Sequence, residues 1–381
     1  MVKTVHNPFK KIHFIATHAG FYSQWCRGYV PQIWRYWRKH CGRRPGDDAR
    51  YVAYLDFNEE GGRALFNLAW VLHEGGCRIL LRHRPVALSR LGPYGQWTLE
   101  LPKLQLTKLA PEQVEADFYF SDTVKESGDR SNFIQVDFDY LRPLREGEYP
   151  IPIGVHPRHR RSGDFARYRV SARARNRPLR LFFAGNIRHP DYDGLTEVHG
   201  KMSRPVMIDH VSEEFADACV FPESTEQPWE NYGKPIVIVD SGVCPLEGSE
   251  YFTGFLSSSF ALCPGGGANY PHCHNLVEAM GMGAIPILDY GEYMYPQLTN
   301  GENCLLFDGE TNLAKVVNHA LSMSESEIDR MRDAVLRYYE GHLSETGILA
   351  DMLNTEGLHA VKLLSGGKTA HLNSERLNLN P

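Results

Sequence analysis

Three consecutive glycines, Gly265–Gly267, stand between two apolar runs in the stretch Ser257–Leu288 (SSSFALCPGGGANYPHCHNLVEAMGMGAIPIL). Three glycines in a row suit neither helix nor strand, so Pro264–Gly267 must be a turn. Phe260–Cys263 before it is a short apolar strand. Leu276, Ala279, Met280 and Gly283 after it recur at helical spacing, and Ile285–Leu288 is the next strand. The order strand, turn, helix, strand restricts this part of the chain to a parallel α/β layer. A glycine turn feeding a helix N-terminus leaves backbone N–H groups at positive potential, a natural seat for a phosphate. Glu278 lies one turn into that helix.

The same alternation recurs on both sides of this stretch. Lys11–Thr17 reads as a strand, as does Tyr51–Asp56. The helix after the latter carries Leu65, Leu68, Ala69 and Leu72 on one face and stops at Gly75-Gly76. Arg78–Leu81, Asp117–Ser121 and Phe133–Val136 follow as strands, then Leu179–Ala184 and Ile236–Asp240. Ser324 with Glu327 makes a capping box, and the helix behind it places Ile328, Met331, Val335, Leu336 and Tyr339 inward. The polar tail past about 365 is expected to fray or lie over the surface. In a chain of 381 residues this predicts two Rossmann-like lobes with a cleft between them. The expected divisions are a lobe over 1–150, a linker over 151–178, a second lobe over 179–345 and a C-terminal helix and tail over 346–381.

With 42% apolar and 23% charged residues, composition excludes disordered and collagen-like classes. No run reaches 18 apolar residues and the N-terminus lacks an apolar signal core, so a cytoplasmic protein is expected. Eight cysteines without paired spacing fit reduced, mostly buried thiols. Cys263, His272, Cys273 and His274 show only one half of a zinc-like spacing, so no metal is expected. Charge is uneven: residues 156–180 hold nine arginines against one acid, Asp164. That local balance of +8 leaves −13 for the rest of a chain whose net charge is −5. The block reads either as a solvated linker or as a seat for an anionic partner.

Four pieces in the second half, taken in order, carry a family resemblance. They are Arg180–Gly185 (RLFFAG), Tyr251–Pro264 (YFTGFLSSSFALCP), Asn275–Ala279 with Gly283–Pro286, and Asn300–Leu306 (NGENCLL). Over about residues 178–340 they resemble the nucleotide-binding lobe of GT-B fold glycosyltransferases, most specifically the exostosin-like group. The resemblance implies an α/β, GT-B-like fold and transfer of a sugar from a nucleotide-sugar donor, with UDP favoured, to a glycan acceptor. Polysaccharide or surface-glycan synthesis is the implied setting, and the transfer is expected to be inverting and metal-independent, without a cofactor. By the same resemblance Glu278 binds the ribose hydroxyls, a role that suits a bidentate carboxylate acceptor. Two positions depart from the pattern: Asn275 stands where the group usually carries arginine. Tyr270 stands eight residues before Glu278, where many retaining members carry a second glutamate.

The expected donor site therefore comprises Gly185, Asn186 and Arg188 after the first strand of the second lobe, with Gly265, Gly266, Gly267, His272, His274, Asn275 and Glu278. His272 or His274, if protonated, would supply the charge that Asn275 lacks. A base is needed beside the acceptor hydroxyl, and loop position in the first lobe offers His18, with Asp56 the runner-up. Tyr22 and Trp25 are candidates for stacking on an acceptor sugar. Two other readings stay open: transfer from a CMP-activated acidic sugar, on His189-Pro190, and a non-catalytic polyanion-binding protein using the arginine block. For the enzyme reading no nucleic acid is expected as a partner, and the block would serve for peripheral contact with an anionic membrane.

Overall fold

The computed structural model describes residues 19–40, 49–123, 132–175, 177–192, 194–267, 270–365 and 369. It divides into two units, 1–136 and 137–381. Both are α/β with parallel strands, in agreement with the fold class expected from the sequence. In the first unit, β1 (Tyr51–Asp56), β2 (Cys77–Arg82), β3 (Leu104–Thr107), β4 (Phe118–Ser121) and β5 (Phe133–Asp137) run in the order β3-β2-β1-β4-β5. The Arg63–Glu74 helix buries Leu65, Leu68, Ala69 and Leu72 as its spacing requires, and Gly76 turns the chain out of it at φ +88°. The expected strand Lys11–Thr17 lies outside the described residues.

In the second unit β6 (Glu148–Ile151) pairs in parallel with β13 (Ala360–Leu363). The main sheet holds β7 (Leu179–Gly185), β8 (Cys219–Val220), β9 (Ile236–Asp240), β10 (Ser258–Leu262), β11 (Ile285–Leu288) and β12 (Leu305–Leu306). All six are parallel, in the order β12-β11-β10-β7-β9-β8. β10 and β11 are buried along their whole length, which is why they read as unbroken apolar runs instead of alternating ones. From β7 the chain first fills one side of the sheet with β8 and β9, then crosses to β10 on the other side. The strand order therefore reverses between β7 and β10, and ligands of open parallel sheets bind outside the C-terminal ends of the strands at such a reversal.

The arginine-rich segment is folded into this unit. Its helices Pro157–Ser162 and Asp164–Arg169 carry arginines that meet the acids of later elements. Arg160 pairs with Glu345 at 3.1 Å, Arg173 and Arg169 with Glu340, Arg175 with Asp329 and Arg180 with Glu325. The free cationic patch suggested by the arginine count is thereby interleaved with carboxylates. Arg177 is buried, and its two terminal nitrogens donate to the carbonyls of Ala172, Phe255, Ser258 and Met282 at 2.7–2.9 Å. Burial pushes its pKa down to about 9, so it remains a cation at neutral pH. One side chain thus ties β10 and the turn into β11 to the segment before β7. Arg177→Met strands four buried acceptors and should lower the unfolding free energy by about 3 kcal/mol, read by urea denaturation. A loss under about 0.5 kcal/mol would mean that the carbonyls find other donors.

Candidate active site

The reversal between β7 and β10 is occupied by a guanidinium that no motif announced. Arg204 begins the Arg204–Glu214 helix and is 4% exposed. Its Nη1 donates to the carbonyl of Asn186, just past β7, and to the Tyr192 hydroxyl, both at 2.8 Å. Its Nη2 donates to the carbonyl of Gly265, just past β10, at 3.3 Å and to Cys273 Sγ at 3.2 Å. Tyr192 also places its ring 4.1 Å from the guanidinium carbon. All these partners are neutral, and Nε is buried without one. Among the described side chains no carboxylate pairs with it; a buried cation so placed is costly, and an anion brought to it recovers that cost.

Cys273 is the N-cap of the His274–Gly281 helix, and no side chain caps that end. The first-turn amides therefore add to the positive potential beside Arg204. Asn275, on the same turn, is 4% exposed with a buried amide oxygen that finds no donor. The glycine turn itself differs from expectation. It does not run straight into the helix but folds back on itself: Gly267 bridges Tyr270, and the Gly266 N–H donates to the Pro271 carbonyl at 2.9 Å. A Cβ on Gly266 would lie 2.2 Å from the His272 carbonyl, and one on Gly265 2.4 Å from Leu195. Gly266 is required by close packing of the turn against backbone, and the uncapped amides beside Arg204 belong to the helix that starts at His274.

Glu278 is on the helix where it was expected, yet it is 1% exposed and both oxygens are engaged. Oε1 accepts the backbone N–H of His156 at 2.9 Å, and Oε2 accepts the Tyr251 hydroxyl at 2.6 Å. Burial first, and then the Glu278 charge, push the Tyr251 hydroxyl well above its ordinary pKa, so it remains a donor. As folded, the carboxylate is a tie between three segments and not an open acceptor. His156, His159 and His274 crowd around it: the His156 ring meets His159 and His274 edge-on, and His159 stacks on Tyr251 at 5.2 Å. His274 Nδ1 donates to the Gly154 carbonyl at 2.8 Å, since a carbonyl only accepts.

His272 cannot supply the charge expected of it. It is 1% exposed, Nε2 donates to the Tyr293 carbonyl at 2.9 Å, and burial pushes its pKa down to about 4. Arg188 is exposed and ion-paired with Asp209 at 2.8 Å, while Gly185 and Asn186 flank Arg204. The structure thus brings Gly185, Asn186, Gly265 and Asn275 to one place with Arg204 and Cys273. Arg204 and Tyr251 were missed because each matters through distant neighbours; the only local signal for Arg204 is the helix start Ser203-Arg204-Pro205.

In the first unit, Asp56 does not suit the role of base. It is 2% exposed and held by Arg82 at 2.6 Å and Arg84 at 2.6 and 3.0 Å. Burial alone would raise its pKa, but the hydrogen bonds and charges of Arg84 and Arg82 outweigh that and hold it below the usual aspartate value. A carboxylate so clamped is a weak proton acceptor. His18 and the side chains of Tyr22 and Trp25 lie outside the described residues. The sequence also carries two Asp-x-Asp triplets. Asp137 and Asp139 of the first both approach Arg142, and Asp191 and Asp193 of the second lie outside the described side chains. Among the described residues no group of three or more His, Cys, Asp or Glu side chains is arranged to hold a metal, and no helix is long and apolar enough to cross a membrane.

No family model and no curated protein matches the sequence. Among solved structures the chain is similar to HepE from Anabaena in complex with UDP and glucose. The identity is 10% and the TM-score 0.39, over 79% of this chain and 98% of that one. It is also similar to AviGT4, a glycosyltransferase of avilamycin A biosynthesis, at 15% identity and TM-score 0.37, over 79% and 96% of the two chains. The wall teichoic acid polymerase TagF is 9% identical with TM-score 0.32, over 97% and 98%.

The buried neutral His272 makes a prediction about acid. Between its ordinary value near 6.5 and its folded value of about 4, the unfolded chain binds a proton that the folded chain refuses. Stability should fall as pH drops through that window, by about 3 kcal/mol in total from this residue. His272→Gln should flatten the pH dependence of the denaturation midpoint between those limits, and an unchanged profile would overturn the assignment.

Proposed function

We propose that the chain is a glycosyltransferase that takes a sugar from a nucleotide-sugar donor, with the donor diphosphate seated at the reversal between β7 and β10. The observation that carries this reading is the Arg204 guanidinium, buried among neutral partners beside an uncapped helix N-terminus. Arg204 and the amides of the His274 turn neutralise the charge that grows on the leaving diphosphate as the sugar departs. Asn275, whose amide oxygen awaits a donor, lies in the same turn. Glu278 meets the ribose by exchanging the Tyr251 hydroxyl on Oε2 for a ribose hydroxyl.

The finer features follow the motif resemblance: an exostosin-like enzyme using a UDP-sugar, hexosyl or pentosyl, inverting and independent of metal. It works on a polysaccharide or surface glycan from the cytoplasmic side. With Asp56 clamped by two arginines, His18 is the first choice for the base, ahead of the other acids and histidines on the first-lobe loops. Closure of a ligand-bound site excludes water and aligns the acceptor hydroxyl with the sugar carbon.

The reading is tested by thermal unfolding with UDP, GDP, CMP and TDP. UDP near a hundredfold over its dissociation constant should raise the melting temperature by about 3 °C. Arg204→Gln should abolish the shift, provided circular dichroism shows the variant folded. Absence of a shift with every nucleotide in the native chain would sink the proposal. A shift with CMP alone would move the donor to an activated acidic sugar.

A further inference from the structure

The first unit contains a cavity of about 500 Å³ that the donor site does not use, set between the Ala19–His40 helix and the edge strand β3. Its size is that of a small-molecule pocket. The helix supplies Tyr29, Tyr36 and Trp37; the opposite wall supplies His83 at the end of β2, then Gln105 and Lys108. Trp37 is 62% exposed, a large apolar ring left facing solvent at the mouth of a cavity. The deeper polar groups are fixed in place: the Tyr29 hydroxyl and His83 Nε2 lie 2.8 Å apart, and the Tyr36 hydroxyl accepts the Leu106 N–H at 3.3 Å. These bonds join the helix to both strands and hold the two walls in register.

The lining has a sign. Lys108, His83 and His40 contribute positive or neutral groups, and among the described lining residues there is no carboxylate. Burial first, and then the Lys108 charge, hold the His83 pKa below its ordinary value, so at neutral pH the charge of this wall belongs to Lys108. An exposed indole face suits the C–H face of a sugar ring, and an amide with imidazoles suits hydroxyl pairs. A single ammonium at the rim suits one carboxylate.

We propose that this cavity is a carbohydrate site for a sugar ring bearing a carboxylate, with Trp37 as its stacking face and Lys108 as its charge contact. Sugar binding is asserted here independently of the second unit. Only the identification of that sugar as part of the acceptor rests on the transferase reading.

Tryptophan fluorescence and titration calorimetry of the full chain, without any nucleotide, test the site. The probes are a disaccharide containing glucuronate, its glucose counterpart and UMP. The acidic disaccharide should quench fluorescence and bind about tenfold more tightly than the neutral one, a gap that Lys108→Gln should close. Trp37→Ala should abolish both quenching and binding. Both side chains are exposed, so neither variant threatens the fold. Equal affinity for the two sugars, tighter binding of UMP, or binding unchanged in Trp37→Ala would overturn the proposal. Failure here, with a nucleotide still shifting the melting temperature, would reject the cavity and leave the donor reading standing.

Discussion

Parallel pairing is the constraint from which the second unit follows. Six strands running one way place six C-terminal ends on the same sheet edge, and the single reversal of order leaves a gap there between β7 and β10. Loops from both sides then converge with their backbone carbonyls exposed. Arg204 satisfies two of those carbonyls and brings a full charge into a region where no described side chain offers it a carboxylate. The polar chemistry of the unit is concentrated where the strand order forces the chain apart. The remainder of the sheet is sealed by aromatic and aliphatic packing, with Phe182 against Phe255 and Trp229.

A second theme is how the arginines are spent. The segment before β7 has the composition of a solvated tether, yet its side chains reach helices more than a hundred residues further on. Arg177 goes to carbonyls instead of carboxylates, and the exposed arginines go to Glu340, Asp329 and Glu325. Exposed pairs of this kind contribute little singly. Their joint effect is to fix where the C-terminal helices lie against the sheet.

The strands that the sequence revealed are those with largely apolar runs, most of them buried along much of their length, with β5 alternating between buried and half-buried positions. β3, β6 and β13 escaped because each has four residues and carries polar ones: Gln105, Glu148 and Lys362. Lys362 is fully buried, which no local pattern could announce. At the site, the helix and its glutamate were legible, but their surroundings were not. The His156 N–H that holds Glu278 lies 122 residues upstream, and the backbone carbonyls around Arg204 come from loops that only the fold assembles. The glycine turn was legible as a turn; that Gly266 is demanded by the His272 carbonyl, and not by a ligand, depends on a contact made after the chain folds back.

The occupied state of Glu278 changes what recognition by that residue amounts to. A hydroxyl arriving at Oε2 replaces the Tyr251 hydroxyl, so the carboxylate holds as many hydrogen bonds after the exchange as before. The displaced phenol must then find another acceptor or meet water. On the proposed function, recognition at Glu278 would be a competition between two donors of the same kind. A ligand without the hydroxyl leaves the tyrosine seated and meets a closed surface. On the proposed function, the carboxylate would then act as a filter on which nucleosides enter, and the strength of holding would lie with the charge at Arg204.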